Sequence, residues 1–386
     1  MFMAEFNHFD LKLVEPTFNS PLTDLIIELD YLRKKKLEGS THPIIFFQLK
    51  NIFHTLESIG SARIEGNRTT LAEYIETKIN QEEDIKDEKI IEIQNMEKAM
   101  EFIDKNIHNY PVNRIFLSEL HKMVVGNLSP QKEGDHTPGE YRMKNVSITG
   151  ASHKPSDYTQ VATYMQELLD FIAQADASKY DLLKIAIAHH RFVWVHPFGN
   201  GNGRTVRLFT YAMLVKQKFN VDVGRIINPT AVFCSDRNKY YQFLSAADKG
   251  TSEGMLGWCY YVLSGLKYEI EKIDRLLDYK YLSVEILMPA VRISLERKVI
   301  TEDEAKILNV AITKQVFQAA DITTHFPGKS APLISRMIRQ LREKRMIVPE
   351  KENTRKYVMA FNNNYLLRGI ITMLGQNDFL PLKDEV

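Results

Sequence analysis

The feature that most constrains this chain is a glycine-rich break between two apolar helical patterns. Residues 181–198 carry apolar side chains at helical spacing as far as Pro197, and residues 204–219 resume that spacing. The stretch HPFGNGNGRTVR, at 196–207, holds three glycines between the two patterns. Because proline and glycine end helices, the sequence predicts a helix, a tight loop and the start of a second helix.

The start of this second helix is suited to bind an anion. A helix N-terminus exposes unpaired N–H groups and the positive end of a dipole, and glycines let the backbone approach a phosphate closely. Arg204 and Arg207 share one helix face and can each fork onto phosphate oxygens. His196 lies beside them, where it can accept a hydroxyl proton. The alternative is an interhelical turn with two solvated arginines, but the coincidence of these features favours a polyphosphate site.

The composition narrows the class of protein. The chain has 386 residues, 44% of them apolar, and a net charge of +1, so it can bury a large core and has no overall field for nucleic acid or membrane. Cys234 and Cys259 lack zinc-site spacing and suggest a reducing compartment. No signal peptide and no apolar run of 18 residues occur, so we expect a cytoplasmic protein without a membrane segment.

The periodicity predicts a mainly α chain with one irregular insertion. This insertion, residues 127–157, is rich in Gly, Pro, Ser and His, and YRMKNVSITG within it predicts a short β-hairpin. The amphipathic helical patterns lie at 21–36, 41–60, 88–107, 112–126, 158–175, 180–195, 204–219 and 236–248.

The C-terminal part has a different pattern. Helical segments up to residue 346 are followed by VPEKENTRKYVMAF, which indicates strand, charged turn and strand. Three helices with a two-stranded wing are typical of a winged helix-turn-helix domain. We therefore predict an N-terminal helical region at 1–90, a core domain at 91–278 and a small winged-helix-like domain at 279–386.

The predicted recognition helix and wing are basic. Clustered basic charge suits DNA phosphates, but a solvated face or a protein-docking role, including a homodimer, stays open. The basic side chains are Arg336, Arg339, Arg342, Lys344 and Arg345 in the helix, and Lys351, Arg355 and Lys356 in the wing.

HPFGNGNGRTVR resembles the Fic family signature HxFx(D/E)GNGRxxR at every fixed position except one. TPGEYRMKNVSITG, at 137–150, resembles the loop and target-docking flap of that family. The resemblance covers roughly 90–250. It implies a Fic-type helical bundle that transfers AMP from ATP to a Tyr, Ser or Thr hydroxyl of a target protein or of the enzyme itself.

The resemblance also implies a role for each matching residue. His196 would be the general base, Phe198 would anchor the loop, and Arg204 would also support charge in the transition state. Tyr240 or Tyr241 would border the adenine, although both are equally expected as core aromatics. The other implied binding residues are Gly201, Asn202 and Gly203 around the α- and β-phosphates, Arg204 on the β-phosphate, Arg207 on the γ-phosphate, and Val146, Ser147, Ile148, Thr149 and Gly150 in the flap.

The one departure from the signature is Asn200, which stands where the family has an acidic ligand of Mg²⁺. An amide offers Mg²⁺ an oxygen but no charge. Three interpretations stay open: an active enzyme with weakened Mg²⁺ binding, altered chemistry or another nucleotide donor, and an inactive site.

The stretch SARIEGN resembles the inhibitory motif of the family, (S/T)xxxE(G/N), with Ser61, Glu65 and Gly66 at its fixed positions. The carboxylate of Glu65 would pair with Arg207 and displace the γ-phosphate of ATP. By itself the stretch is better read as a helix that ends at a glycine cap, and it is the signature at 196–207 that favours the inhibitory role.

We therefore expect a self-inhibited protein adenylyltransferase. One alternative is an enzyme that removes AMP with Glu65, or that performs other nucleotide-dependent Fic chemistry. Another is a nucleotide-sensing winged-helix transcriptional regulator with a weakened site. The intact His196 favours an enzyme, since a sensor needs no base.

Overall fold

The structure is a computed structural model that describes residues 6–34, 40–80, 87–148, 151–219 and 226–380. These residues form a mainly helical chain with one small sheet, which confirms the predicted class. The strands are β1 (Val316–Phe317), β2 (Ile347–Pro349) and β3 (Tyr357–Met359). The α-helices are α1 (Pro21–Lys34), α2 (Pro43–Ile64), α3 (Leu71–Asn80), α4 (Glu88–Asn106), α5 (Arg114–Val125), α6 (Val161–Ala173), α7 (Asp181–Val195), α8 (Asn202–Lys216), α9 (Pro229–Cys234), α10 (Arg237–Ala247), α11 (Ser252–Asp274), α12 (Tyr279–Tyr281), α13 (Met288–Glu296), α14 (Glu302–Lys314), α15 (Ala319–Thr323), α16 (Ala331–Glu343) and α17 (Leu367–Gln376).

The described residues form two compact units. The first lies within Met1–Lys36, His54–Thr69 and Asp84–Glu271. The second lies within Leu37–Phe53, Thr70–Glu83 and Lys272–Val386. The domain boundaries at 90 and 278 stay predictions.

The first unit is built around α7 and α8. Helix α7 packs on α6 and α8, and α8 also packs on α4 and α5. The side chains of Phe192, Trp194, Phe198 and Phe209 are fully buried in this core. Because α7 is surrounded by other helices, almost all of its side chains are apolar or hydrogen-bonded within the protein. The packed pair of α7 and α8 gives the loop between them a rigid base.

Local capping fixes where several of these helices begin. The Asp87 side chain accepts from the backbone N–H of Lys89 at the start of α4, and the Asn113 side chain accepts from that of Phe116 in α5. Asp236 caps α10 in the same way. Short polar side chains at these positions satisfy N–H groups that the helix itself leaves unpaired.

The second unit contains the sheet, in the order β1-β3-β2, with both pairs antiparallel. Val358 in the central strand pairs with Val316 on one side and Val348 on the other. Helix α14 begins at a capping box formed by Thr301 and Glu304. Strands β2 and β3 and helices α14 and α16 lie where the sequence predicts strands and helices, whereas β1 adds a third strand that was not predicted.

The predicted hairpin at 141–150 is not formed by the residues that the structure describes there. Residues 141–148 contain no strand, and Thr149 and Gly150 lie outside the described residues. The backbone of Arg142 donates to the carbonyl of Pro197 at 2.9 Å instead of to a partner strand. The Asn145 side chain donates to Asp157 at 2.9 Å. These bonds hold the segment against the core as an irregular loop.

Within the described ranges, every helix is too short or too polar to cross a membrane.

The core around α7 depends on Trp258 of α11, whose ring is fully buried and whose Nε1–H donates to the Ala186 carbonyl at 2.7 Å. Trp258→Ala removes a large buried side chain, so we expect a loss of about 3–5 kcal/mol in the free energy of unfolding. Tyr260 lies on the same helix and is 44% exposed. Tyr260→Ala is therefore the matched control, and scanning calorimetry should show a lower melting temperature for Trp258→Ala only. Equal melting temperatures would contradict this account of the core.

Candidate active site

The loop between α7 and α8 turns sharply at two residues with positive φ. His196 follows the end of α7 with φ 53°, and its N–H donates to the Phe192 carbonyl at 3.0 Å. Gly201 precedes α8 with φ 70°, and a Cβ there would lie 2.9 Å from Val125 Cγ1. Only glycine can adopt this positive φ without strain and also leave room for the Val125 side chain. The predicted helix–loop–helix arrangement is present, with the N–H groups of α8 at its start.

The interior of the loop is held by Phe198 and Asn202. The ring of Phe198 is buried, and the Asn202 side chain accepts from its N–H at 2.9 Å and donates to its carbonyl at 3.0 Å. Asn202 is itself almost fully buried. This side chain therefore stabilises the turn, in addition to the anion-binding role that the sequence predicts for it.

The ring of His196 is oriented as a base. Its Nδ1 lies 3.2 Å from the carbonyl oxygen of Val193. A carbonyl can only accept, so the proton is on Nδ1 and the lone pair is on Nε2. Burial lowers the pKa of His196 to about 4, against the backbone bond to Val193 and the charge of Glu65 that raise it. The ring is therefore neutral at physiological pH and can accept a proton.

Arg142 joins the loop 141–148 to the end of α7. It is buried, its Nε donates to the His196 carbonyl at 2.8 Å, and its Nη2 donates to the Ser156 carbonyl at 2.6 Å. The sequence contains Arg142 in the flap-like stretch, but its partners lie far along the chain. Sequence reasoning missed this residue because no local pattern marks it.

His121 of α5 holds the loop from the other side. Its ring stacks on that of Phe198 with centroids 3.8 Å apart, and its Nε2 lies 3.0 Å from the Asn200 carbonyl. Its Nδ1 accepts from the Gly139 N–H at 2.8 Å. Burial lowers the pKa of His121 to about 4. A neutral ring with Nε2–H satisfies both bonds, and His121 was also missed from the sequence.

The stretch SARIEGN reaches Arg207 as the resemblance predicts. The Arg207 Nη2 donates to Glu65 Oε1 at 2.7 Å and to the Ser61 carbonyl at 3.0 Å, while Nε donates to Ser61 Oγ at 2.8 Å. Burial alone would raise the pKa of Glu65, but the charges of Arg207 and Arg204 outweigh it and the pKa lies below its usual range. Gly66 follows with φ 104°. The carboxylate is therefore ionised and bound to the second motif arginine.

Glu57 lies four residues before Ser61 and eight before Glu65, and it helps to hold this face of α2 in place. Its Oε1 accepts from the Thr230 N–H at 2.8 Å. Burial raises the pKa of Glu57 to about 8. A neutral carboxyl here lets the helix pack without an uncompensated charge.

Arg204 contacts two glutamates, while its Nε forms no hydrogen bond within the described residues. Its Nη1 lies 2.8 Å from Glu92 Oε1, and its Nη2 donates to the carboxylate of Glu133 at 2.8 Å and to the Glu133 carbonyl at 2.9 Å. Burial raises the pKa of Glu92 against the lowering charge of Arg204. Neither glutamate was predicted, since they belong to α4 and to the loop after α5.

Both the nitrogen and the oxygen of the Asn200 side-chain amide form hydrogen bonds within the protein. Its Nδ2 donates to the Lys132 carbonyl at 2.7 Å and to the Gly134 carbonyl at 3.1 Å, and its Oδ1 accepts from the Gly201 N–H at 2.7 Å. One lone pair of the only side-chain oxygen is therefore used by the backbone, and that oxygen carries no charge. Among the described residues, no group of three His, Cys, Asp or Glu side chains could hold a metal. The donor set at position 200 does not fit the Mg²⁺ that the resemblance implies.

The two predicted adenine-side tyrosines differ in their surroundings. Tyr240 is buried, and its hydroxyl lies 3.0 Å from His189 Nε2, whose ring also contacts Thr210. Tyr241 is 43% exposed, and the Arg237 guanidinium lies 5.3 Å from its ring centroid. Only Tyr241 presents open surface, while Tyr240 packs in the core.

The flap residues are only partly described. Val146 and Ile148 are half-buried and Ser147 is exposed. The carbonyl of Ile148 accepts from the Ala151 N–H at 3.2 Å. Thr149 and Gly150 lie outside the described residues.

Comparisons with known proteins agree with this site. Residues 111–214 match the Fic/DOC family. The protein adenylyltransferase Fic of Drosophila willistoni is 32% identical over 202 residues, which make up 51% of this chain and 37% of that protein. The chain thus spans well under half the length of this curated relative.

Two solved structures share the fold. A Fic family protein from Desulfovibrio desulfuricans matches with a TM-score of 0.56 and 18% identity over 92% of this chain and 98% of that one. A Fic domain containing signaling protein from Bacteroides thetaiotaomicron matches with a TM-score of 0.51 and 17% identity over 66% of this chain and 96% of that one.

Replacing His121 should change how stability depends on pH. Its folded pKa of about 4 lies below the ordinary 6.5, so the neutral ring stabilises the fold fully above pH 6.5 and loses this contribution as the pH falls toward 4. The stability difference between wild type and His121→Ala, measured by urea unfolding, should therefore be smaller at pH 5 than at pH 7. Lys122→Ala, at an exposed neighbour, is the control. A His121→Ala difference that is equal at both pH values would contradict the prediction.

Proposed function

We propose that this chain, whose residues 111–214 match the Fic/DOC family, is a protein adenylyltransferase that Glu65 keeps inhibited. It would transfer AMP from ATP to a Tyr, Ser or Thr hydroxyl of a target protein or of the chain itself. The observation that carries this proposal is the neutral His196 ring beside two arginines at the start of α8.

His196 would begin the reaction. Its Nε2 lone pair accepts the proton of the attacking hydroxyl, and that oxygen forms a bond to the α-phosphorus of ATP. The bond from this phosphorus to the bridging oxygen of the pyrophosphate breaks, and pyrophosphate leaves with the electron pair. A base with a pKa of about 4 is a weak acceptor, so the hydroxyl proton moves as the new bond forms.

The arginines and α8 would hold the triphosphate. Arg204 on the β-phosphate and Arg207 on the γ-phosphate fix the α-phosphate for in-line attack and balance the charge of the leaving pyrophosphate. Nucleotidyl transfer depends mainly on such positioning and charge stabilisation. The backbone N–H groups of Asn202 and Gly203, at the N-terminus of α8, would complete the anion site.

Mg²⁺, expected from the resemblance, would need a ligand other than the Asn200 side chain in this arrangement. That side chain carries no charge, and one lone pair of its oxygen already accepts from the Gly201 N–H. We therefore assign the stabilisation of charge to the protein groups named above.

The target would bind along the flap. The backbone of Val146, Ser147 and Ile148 is free of regular secondary structure and reaches the surface at Ser147. An extended target segment could add to it by main-chain hydrogen bonds. Thr149 and Gly150, predicted to take part, belong to the same proposal.

Removing Glu65 should release the activity. Glu65 Oε1 occupies Arg207 at 2.7 Å, where the γ-phosphate would bind, and a misplaced α-phosphate costs roughly 100-fold in rate. With α-labelled ATP, Glu65→Gly should label itself roughly 100-fold faster than wild type. Glu65→Gly with His196→Ala should show no label.

The control for this experiment is Glu101→Ala, which removes an exposed carboxylate of α4. It should label itself like wild type. An absence of label in every variant, with ATP still bound, would contradict the transferase and favour a nucleotide sensor. Release of AMP from a modified target only when Glu65 is present would favour the reverse reaction, with Glu65 positioning a water.

We also propose that the second unit contains a winged-helix element that binds DNA. Helix α16 buries an apolar face formed by Ile334, Met337, Ile338 and Leu341. Its opposite face exposes basic residues three apart, and the turn between β2 and β3 exposes more. These basic residues are Arg336, Arg339 and Arg342 on α16 and Lys351, Arg355 and Lys356 in the turn.

Charge on this surface should set the salt dependence of binding. If Arg336 and Arg339 each contact a phosphate, the double Ala variant should reduce the slope of log affinity against log salt by about 2. Fluorescence anisotropy with a 30-base-pair duplex, about 100 Å long, measures this slope. Arg292→Ala, which removes an exposed arginine of α13, is the control. Equal slopes in all proteins would contradict the proposal, and two chains per duplex would support the predicted homodimer.

The two cysteines support a reducing compartment, and we propose the cytoplasm. Both Cys234 and Cys259 are free thiols.

A further inference from the structure

The Arg204 guanidinium is held by two carboxylates that differ in character. Glu92 is buried, and its Oε2 accepts from the Asn67 side chain at 2.7 Å. Asn67 also donates to the Lys89 carbonyl at 2.9 Å. Glu92 is therefore a fixed part of the core, placed to support Arg204 in any state of the site.

Glu133 is not fixed in this way. About 41% of its side chain is exposed, and it lines an open cavity of about 620 Å³ together with Glu65 and Lys132. Its carboxylate and its own carbonyl both accept from Arg204 Nη2. A phosphate that binds Arg204 through Nη2 would have to replace these oxygens, because each of the two Nη2 hydrogens already has an acceptor.

The loop that carries Glu133 is tied down by Asn200. The amide nitrogen of Asn200 donates to the carbonyls of Lys132 and Gly134, the residues on either side of Glu133. An ionised acidic residue at position 200 has no N–H to donate and would repel both carbonyls. The departure from the family signature thus has a structural consequence: Asn200 holds the 132–134 loop over Arg204.

We propose that Asn200 and Glu133 form a second brake, which occupies Arg204 independently of the Glu65 contact with Arg207. This inference rests on the proposed function, since it assigns Arg204 to the β-phosphate. The second brake predicts that Glu65→Gly removes only part of the inhibition. To remove the rest, the 132–134 loop has to move away from Arg204 as well.

The alternative is that Glu133 positions Arg204 for ATP. The two roles predict opposite signs. If Glu133 is a brake, removing it strengthens ATP binding, because Arg204 becomes available to phosphate. If it positions Arg204, removing it weakens ATP binding.

The experiment compares variants in the Glu65→Gly background by isothermal titration with ATP, with and without Mg²⁺, and by initial rate of label transfer. Glu133→Ala should lower the Kd for ATP roughly tenfold, as expected for freeing one charged hydrogen-bonding group. Asn200→Ala should have a similar effect by releasing the loop. The double variant should gain little more, because both changes act through one contact.

Glu101→Ala, which removes an exposed carboxylate from the same helix as Glu92, should leave the Kd unchanged. Circular dichroism establishes that each variant is folded. An unchanged or higher Kd in Glu133→Ala would overturn the second brake. Tighter ATP binding without label transfer in any variant would support the brake and contradict the transferase.

Discussion

Two guanidinium groups buried at the start of α8 set the requirements for the rest of the site. A buried charge is strongly unfavourable unless it is paired and hydrogen-bonded. Arg204 and Arg207 are each about 1% exposed, and each is bonded to carboxylates that come from other parts of the chain. The helix α2, the start of α4 and the loop after α5 converge on this point because each contributes an oxygen that these cations need.

The same pairing explains how inhibition and stability are connected. Phosphate and carboxylate offer the same kind of oxygen to an arginine. In the absence of nucleotide, the carboxylates of Glu65 and Glu133 satisfy the cations and stabilise the fold around them. In the proposed enzyme, nucleotide would have to compete with these internal ligands, so the strength of each pair would set how far the activity is inhibited. Exposure decides which pairs can open: Glu92 is buried, whereas Glu65 and Glu133 reach the surface.

The sequence predicts those parts of the site that are local along the chain. The break at 196–207, the arginine pair and the base follow from spacing and helix physics, and the contact of Glu65 with Arg207 follows from a motif resemblance. His121, Arg142, Glu92 and Glu133 could not be predicted, since each meets its partner only through tertiary packing. In the flap, the sequence predicts an element that the described residues do not form. The alternating stretch indicates a strand, but side-chain bonds to the core keep residues 141–148 irregular.

Asn200 shows why a single departure from a signature has to be judged in its surroundings. From the sequence, an amide in place of a carboxylate suggests only a weaker metal site. In the structure, the amide nitrogen is bonded to two carbonyls and the amide oxygen to the next N–H, so all of its polar groups are used. A carboxylate could accept from the Gly201 N–H but could not donate to the two carbonyls. The change therefore removes one interaction, with a cation, and adds another, with the loop that covers Arg204. The role of position 200 passes from binding a ligand to controlling access to it.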